Sequence, residues 1–389
     1  MVEVSTDNYI YMDNAATSYP KPGEVIDAVC HHLSTLSSNP GRSAHRLSLE
    51  ASRALFDARQ TVADFFGASD SRNIVFTLNV TEALNLAIYG ILRKGDHVVT
   101  TSMEHNSVMR PLRHLESEGI IELSVVHSFP DGSVDIDGIA KRVKQRKTRL
   151  LVVNHASNVT GTIADIKAIS RVKGEALLLV DAAQTAGCLP IDLKEMGIDI
   201  LAFTGHKALL GPQGTGGLVI NTTRECILPL KRGGTGSNSE FEQQPDFLPD
   251  RLESGTANGC GIAGLARGIE VIQTVGIDNI RMHEKKLIEI MLEGLKEIKG
   301  IRIYGPLDAD RQVAVISINI EGISPSDVGY ALDRSFNICV RTGLHCAPSA
   351  HRTIGSFPQG TVRFSMGIYN TEDDVEKAID ALTWIAEHG

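Results

Sequence analysis

Between residues 74 and 220 the sequence alternates short β-rich runs with helical patterns, and two of the runs, 150–154 and 176–181, are nearly continuous in apolar residues. The runs fall at 74–77, 97–101, 122–127, 150–154, 176–181, 201–203 and 217–220. A strand that is apolar throughout must be covered on both faces, and helices lying between such strands supply the cover. This restricts the region to an α/β fold around a mainly parallel sheet of seven strands. Helical patterns at 82–92 and 106–119 are two of the connections.

The pattern then changes. Residues 261–299 read as long helical structure with charge enriched toward the end. Residues 313–319 alternate as a half-buried strand, 325–336 and 371–387 as amphipathic helices, and 337–341 and 361–365 as short strands. These make a smaller α+β unit. The expected division is a large domain at 16–262 and a small domain formed by 1–15 and 263–389, the first fifteen residues lacking a core of their own. A chain of 389 residues is long enough for two cores.

No apolar run reaches the ~18 residues of a membrane span. Residues 1–7 have neither a basic region nor an apolar signal core, so a cytoplasmic address without a membrane partner is expected. The net charge of −9 argues against direct nucleic-acid binding. Six scattered cysteines without a CxxC pair point to free thiols, not to a disulfide framework or a zinc site, and no metal is expected.

Thr204-Gly205-His206-Lys207 closes the apolar run that begins at Ile198 and opens a glycine-rich stretch. Burial at a strand end disfavours the ammonium form of lysine, and a neutral amine forms a Schiff base with a carbonyl compound. Asp181 ends the most apolar run, at the sheet edge where α/β folds bind ligands. It either holds a pyridinium nitrogen or caps the next segment. Gln184 either bonds a ring hydroxyl or faces solvent. Thr81 lies at a helix start, a place for phosphate and equally for an ordinary N-cap. Thr204 and His206 are further phosphate candidates. His105 follows a strand and can stack on a flat ring or sit at the surface. Cys346 lies on a loop-like stretch near Arg341 and His345, a setting that favours thiolate. Arg363 either clamps a carboxylate or is a strand-surface arginine.

Taken in order, these segments resemble one family. They are Asp13-Asn14-Ala15-Ala16-Thr17, Thr81-Glu82, His105, Ser157-Asn158-Val159-Thr160-Gly161-Thr162, Asp181-Ala182-Ala183-Gln184, Thr204-Gly205-His206-Lys207, Arg341-Thr342-Gly343-Leu344-His345-Cys346 and Val362-Arg363-Phe364-Ser365. Order and spacing resemble the cysteine desulfurases of the class V aminotransferase group along nearly the whole chain. The short Cys346 segment is nearest to SufS-like desulfurases and selenocysteine lyases.

The resemblance implies a fold-type I enzyme dependent on pyridoxal 5'-phosphate (PLP), acting as a homodimer on L-cysteine or L-selenocysteine. Lys207 would hold PLP covalently and act as the Cα base. Asp181 would pair with the ring nitrogen, Gln184 with the ring oxygen, and His105 would stack. Thr81, Thr204 and His206 would bind phosphate, with Thr256 reaching in from the partner subunit. Asn158, Arg363 and Arg341 would surround the substrate. Cys346 would take the sulfur as a persulfide and hand it to an acceptor, serving iron–sulfur assembly, thiolated tRNA or a sulfurated or selenated cofactor. A non-catalytic sulfur-trafficking protein is the rival from another class. Val80 stands where a second hydroxyl is common, Leu344 replaces a common histidine, and 349–360 matches poorly.

Overall fold

The computed structural model describes residues 9–41, 45–223, 227–238 and 240–389. Residues 1–8 of the expected small domain, and Cys226, lie outside the described residues. The chain opens with Ile10–Tyr11 (β1), Gly23–Thr35 (α1) and Arg46–Phe66 (α2). There follow Ile74–Thr77 (β2), Val80–Ile91 (α3), Asp96–Thr101 (β3), Asn106–Ser117 (α4), Ile121–Val126 (β4) and Ile136–Gln145 (α5). Next come Thr148–Asn154 (β5), Ile166–Val172 (α6), Leu177–Asp181 (β6), Ile200–Thr204 (β7) and Gly216–Ile220 (β8). Two helices, Gly259–Val275 (α7) and Ile277–Glu297 (α8), lead to Ile301–Tyr304 (β9), Val315–Ile320 (β10) and Pro325–Phe336 (α9). The chain ends with Ile338–Cys339 (β11), Arg341–Gly343 (β12), Pro348–Ile354 (α10), Thr361–Ser365 (β13) and Glu372–His388 (α11).

The larger sheet has seven strands in the order β2-β8-β7-β6-β5-β3-β4. Strands β4, β3, β5, β6 and β7 are parallel, and β8 runs antiparallel to both its neighbours. Successive residues of a strand serve opposite faces. Leu178 and Val180 accordingly join a core with Phe66, Phe203 and Leu265, while Leu177 and Leu179 join one with Leu84, Ile88 and Leu112. Each fully buried side chain of this size contributes about 1.5–3 kcal/mol, which is why the central stretches 150–153 and 177–180 carry no polar residue. The fold is the PLP fold-type I arrangement, a large mainly parallel sheet domain with a smaller α+β domain.

The smaller sheet, β12-β13-β10-β9, is antiparallel. Its core gathers Leu287 and Met291 of α8, Ile316 and Ile318 of β10, Leu332 of α9, Phe364 of β13 and Leu382 of α11. Strand β1 pairs in parallel with β11, and Met12 enters the same core.

Three local readings change. The stretch 261–299 is two helices meeting at 79°, broken at Gly276 with φ 87°, a conformation open to glycine. Helix α7 runs through residue 262, packs on α1 and α2, and gives Leu265, Ile269 and Ile272 to the larger core. Ile280 of α8 still belongs to that core, and the smaller core takes α8 from Leu287 onward. The stretch after Cys346 is not all loop: Pro348 opens α10, where its missing N–H costs nothing, and Gly355 with φ 78° ends it.

Candidate active site

Strands β5, β6 and β7 lie side by side and end together, so Asn154, Asp181 and Thr204 meet at one sheet edge. The end of β3 brings His105 to the same edge. Lys207 sits in the turn after β7, which is closed by Leu210 N–H donating to the Lys207 carbonyl at 2.8 Å. The turn is crowded. A Cβ on Gly187 (φ 104°) would lie 2.3 Å from the Ala208 carbonyl oxygen.

These elements enclose a cavity of about 290 Å³, near the size that takes a small organic ligand. Lys207, Asp181, Gln184, His105, Asn158, Thr81, Thr204 and His206 all line it, with Ser107 and Asn154. Burial lowers the Lys207 amine to about 8, against the pull of Asp181. Burial raises the Asp181 carboxyl, opposed by the Ala183 N–H on its Oδ1 (2.9 Å) and by Lys207. Asp181 therefore caps locally and faces the cavity at once. His105 Nδ1 accepts from Ser107, which assigns the neutral ring its proton on Nε2. Burial, then Lys207, lower that ring to about 4.

The phosphate candidates lie around the start of α3. The N-cap is Asn79, whose side chain accepts from Glu82 N–H at 2.9 Å, so Thr81 is not the cap. Its hydroxyl lies 2.9 Å from Ser107 Oγ. Ser107 thus places, from another helix, a second hydroxyl beside Thr81. Asn158 Oδ1 and His206 Nδ1 are buried without a partner.

Cys346 and Arg363 reach the cavity through hydrogen bonds. Arg363 is 1% exposed, not a surface residue. It donates to Asp13 Oδ1 at 2.7 Å and to the Asn158 carbonyl at 3.0 Å, with Nε unpartnered. Asn158 Nδ2 donates to the His345 carbonyl at 2.7 Å. The next residue, Cys346, is exposed, and its carbonyl accepts from Asn106 N–H at 2.8 Å. Arg341 Nη2 lies 3.6 Å from its sulfur. His345 and Cys346 hold φ values of 48° and 58°, sparsely used outside glycine, so packing holds the loop in a strained form. The His345 ring does not serve the thiol. It bonds Thr361 Oγ1 at 2.9 Å and lies 5.4 Å from the His351 ring.

Thr256 does not line this cavity. It borders two other hollows, one with Thr77, Gly214 and Leu230 and one with Phe56 and Arg59. Sequence reasoning missed Asp13, Ser107 and Asn154. Asn154 alone had a local signal, as the polar end of an apolar run.

The residues fit PLP. A buried amine, a buried carboxyl, a flat neutral imidazole, a helix start flanked by hydroxyls, and two orphan polar atoms at Asn158 and His206 surround one cavity. The family model for aminotransferase class-V matches residues 10–378. A probable cysteine desulfurase of Methanothermobacter thermautotrophicus is 38% identical over 390 residues, covering 98% of this chain and 96% of the relative. One from Pyrococcus abyssi is 37% identical, covering 97% and 94%. Among solved structures, the apo cysteine desulfurase of Thermococcus onnurineus NA1 is similar with a TM-score of 0.90 and 34% identity, covering 97% of this chain and 95% of that one. The Escherichia coli cysteine desulfurase CsdA, in its S-sulfonic acid form, has a TM-score of 0.85 and 26% identity, covering 97% and 95%.

Proposed function

The chain belongs to the aminotransferase class-V family, and on that premise we propose that it is a PLP-dependent cysteine desulfurase. It converts L-cysteine to L-alanine and passes the sulfur to an acceptor through a persulfide on Cys346. One observation carries this reading. An exposed cysteine with a guanidinium at its sulfur is tied by Asn158 and His345 to the cavity that holds Lys207.

When bound, PLP supplies a carbonyl carbon for amines and a ring that accepts electrons from Cα. The protein's groups do the rest. Lys207 Nζ anchors the cofactor and takes the proton from substrate Cα. Asp181 would hold a proton at the ring nitrogen, and the neutral His105 ring would stack on the cofactor. Thr81, Ser107, Thr204 and His206 take the phosphate. Arg363, through its free Nε, and Asn158 take the substrate carboxylate. Arg341 Nη2, 3.6 Å away, orients the Cys346 sulfur, which attacks the substrate sulfur as thiolate. The new S–S bond forms as the C–S bond breaks. The electron pair stays with the carbon fragment, which gains protons and leaves as alanine.

Thr256 supports a homodimer, because it lies beside exposed Phe56 and Leu230 and away from its own chain's cavity. The test is Cys346→Ser, assayed for alanine, with PLP absorbance recorded. The expected result is lost turnover of L-cysteine with the absorbance kept. Repeated turnover by the variant would remove Cys346 from this role. Turnover of L-selenocysteine alone would favour a selenocysteine lyase.

A further inference from the structure

Glu104 is a carboxyl group with no part in the reaction as described. It lies between β3 and α4, directly before His105, and its side chain is wholly buried. Its Oε1 accepts from Thr101 Oγ1 at 2.6 Å and from the Asn154 N–H at 3.2 Å. Oε2 is buried without a partner. Neither donor is charged. Asp181, at the end of β6, is the ionisable group whose charge acts on Glu104. His155 after β5 and His105 are both kept neutral by burial, and the Lys207 amine acts on Asp181 and His105.

A carboxylate so placed has lost water, faces a second carboxyl and has no cation to compensate. One oxygen receives both donors while the other receives none. That set suits a neutral acid better than a carboxylate: the oxygen that takes both donors is the carbonyl, and a hydroxyl left without an acceptor costs less than a buried unpaired charge. Burial first, and Asp181 after it, push the group up to about 8.

We propose that Glu104 works as a neutral carboxylic acid and is a positioning residue for the cofactor site. Resting on the PLP reading above, it fixes the segment that carries His105 to the end of β5 that carries Asn154. Its neutrality leaves Asp181 the single anion behind the ring. An ionised Glu104 would compete for the proton that Asp181 must hold.

The test compares wild type with Glu104→Gln and Glu104→Ala, in two arms. The first melts the cofactor-free proteins across pH. A carboxyl raised in the folded state stabilises below its unfolded value and loses that contribution as pH rises through its folded value. The wild-type melting temperature should therefore fall relative to Glu104→Gln from about pH 4.5 to about pH 8, and then run parallel. The second arm adds PLP. The absorbance of the bound cofactor should be present in Glu104→Gln and diminished in Glu104→Ala. A melting gap independent of pH would overturn the proposal. So would a Gln variant that loses PLP as Ala does, since either outcome requires an ionised Glu104. If wild type itself fails to bind PLP, the cofactor reading falls while the first arm still decides the charge of Glu104.

Discussion

The Lys207 amine is buried, and Asp181 and Asp13 offset only part of what burial takes from its ammonium form. With its ammonium lowered to about 8, roughly a tenth is neutral at pH 7, and the fraction grows steeply above that. Only the neutral amine attacks a carbonyl. Capture of PLP by the cofactor-free protein, followed by absorbance, should therefore speed up about tenfold from pH 7 and level off above pH 8 to 9. A rise that continues toward pH 10.5, the ordinary lysine value, would contradict the buried setting. The chemistry of Lys207 and Asp181 was legible because each ends an apolar run, and position on a strand fixes burial. Asp13, Ser107 and Glu104 were not. The Asp13 partner, Arg363, is 350 residues away, and Ser107 meets Thr81 across 26 residues. Contacts of that kind leave no local pattern. Residue type alone left Arg363 open between carboxylate clamp and strand surface, and its burial against Asp13 and Asn158 removes the second.

Among the elements, strands were easier to read than helices. A fully buried strand writes itself as an unbroken apolar run, whereas α1, α2, α5 and α6 mix buried and exposed positions and were not placed. The Gly276 break was hidden inside a continuous helical composition. Helix α10 was masked by its Ser, Pro and Gly content, yet it steadies the Cys346 loop. Its His351 bonds Ser356 Oγ at 2.7 Å, and its Thr353 hydroxyl bonds Ser102 Oγ at 2.8 Å, next to the segment carrying Glu104 and His105. The loop that presents Thr256 is held by one buried ion pair. Arg59 bonds both oxygens of Glu253, at 2.7 and 2.9 Å, and Glu253 also accepts from Phe76 N–H at 2.6 Å. Removing one partner strands the other charge, so Arg59→Ala should cost about 3–5 kcal/mol in urea unfolding. Arg59→Met combined with Glu253→Gln should recover much of it. A single-variant loss below about 1 kcal/mol would mean the pair is effectively solvated.

At the scale of the whole molecule, two cores are joined around one site. Arg363 on the smaller sheet reaches Asn158 beyond the larger one, so the substrate candidates come from both. On the proposed reading Thr256 would be a third contributor, reaching in from a second copy of the chain. Sedimentation should give a dimer, and Thr256→Val should weaken PLP binding about tenfold, the worth of one hydrogen bond to a charged group. Unchanged affinity in the variant would remove Thr256 from the phosphate site. The most direct measurement on the whole protein is a single turnover. The PLP-loaded enzyme is mixed with less than one equivalent of L-cysteine without reductant, alanine is counted, and the protein is digested for mass spectrometry. The predicted result is one alanine per cysteine consumed and the added mass of one sulfur atom on the peptide containing Cys346. Alanine without that added sulfur, or sulfur found on Cys30, Cys260 or Cys339 in its place, would contradict it.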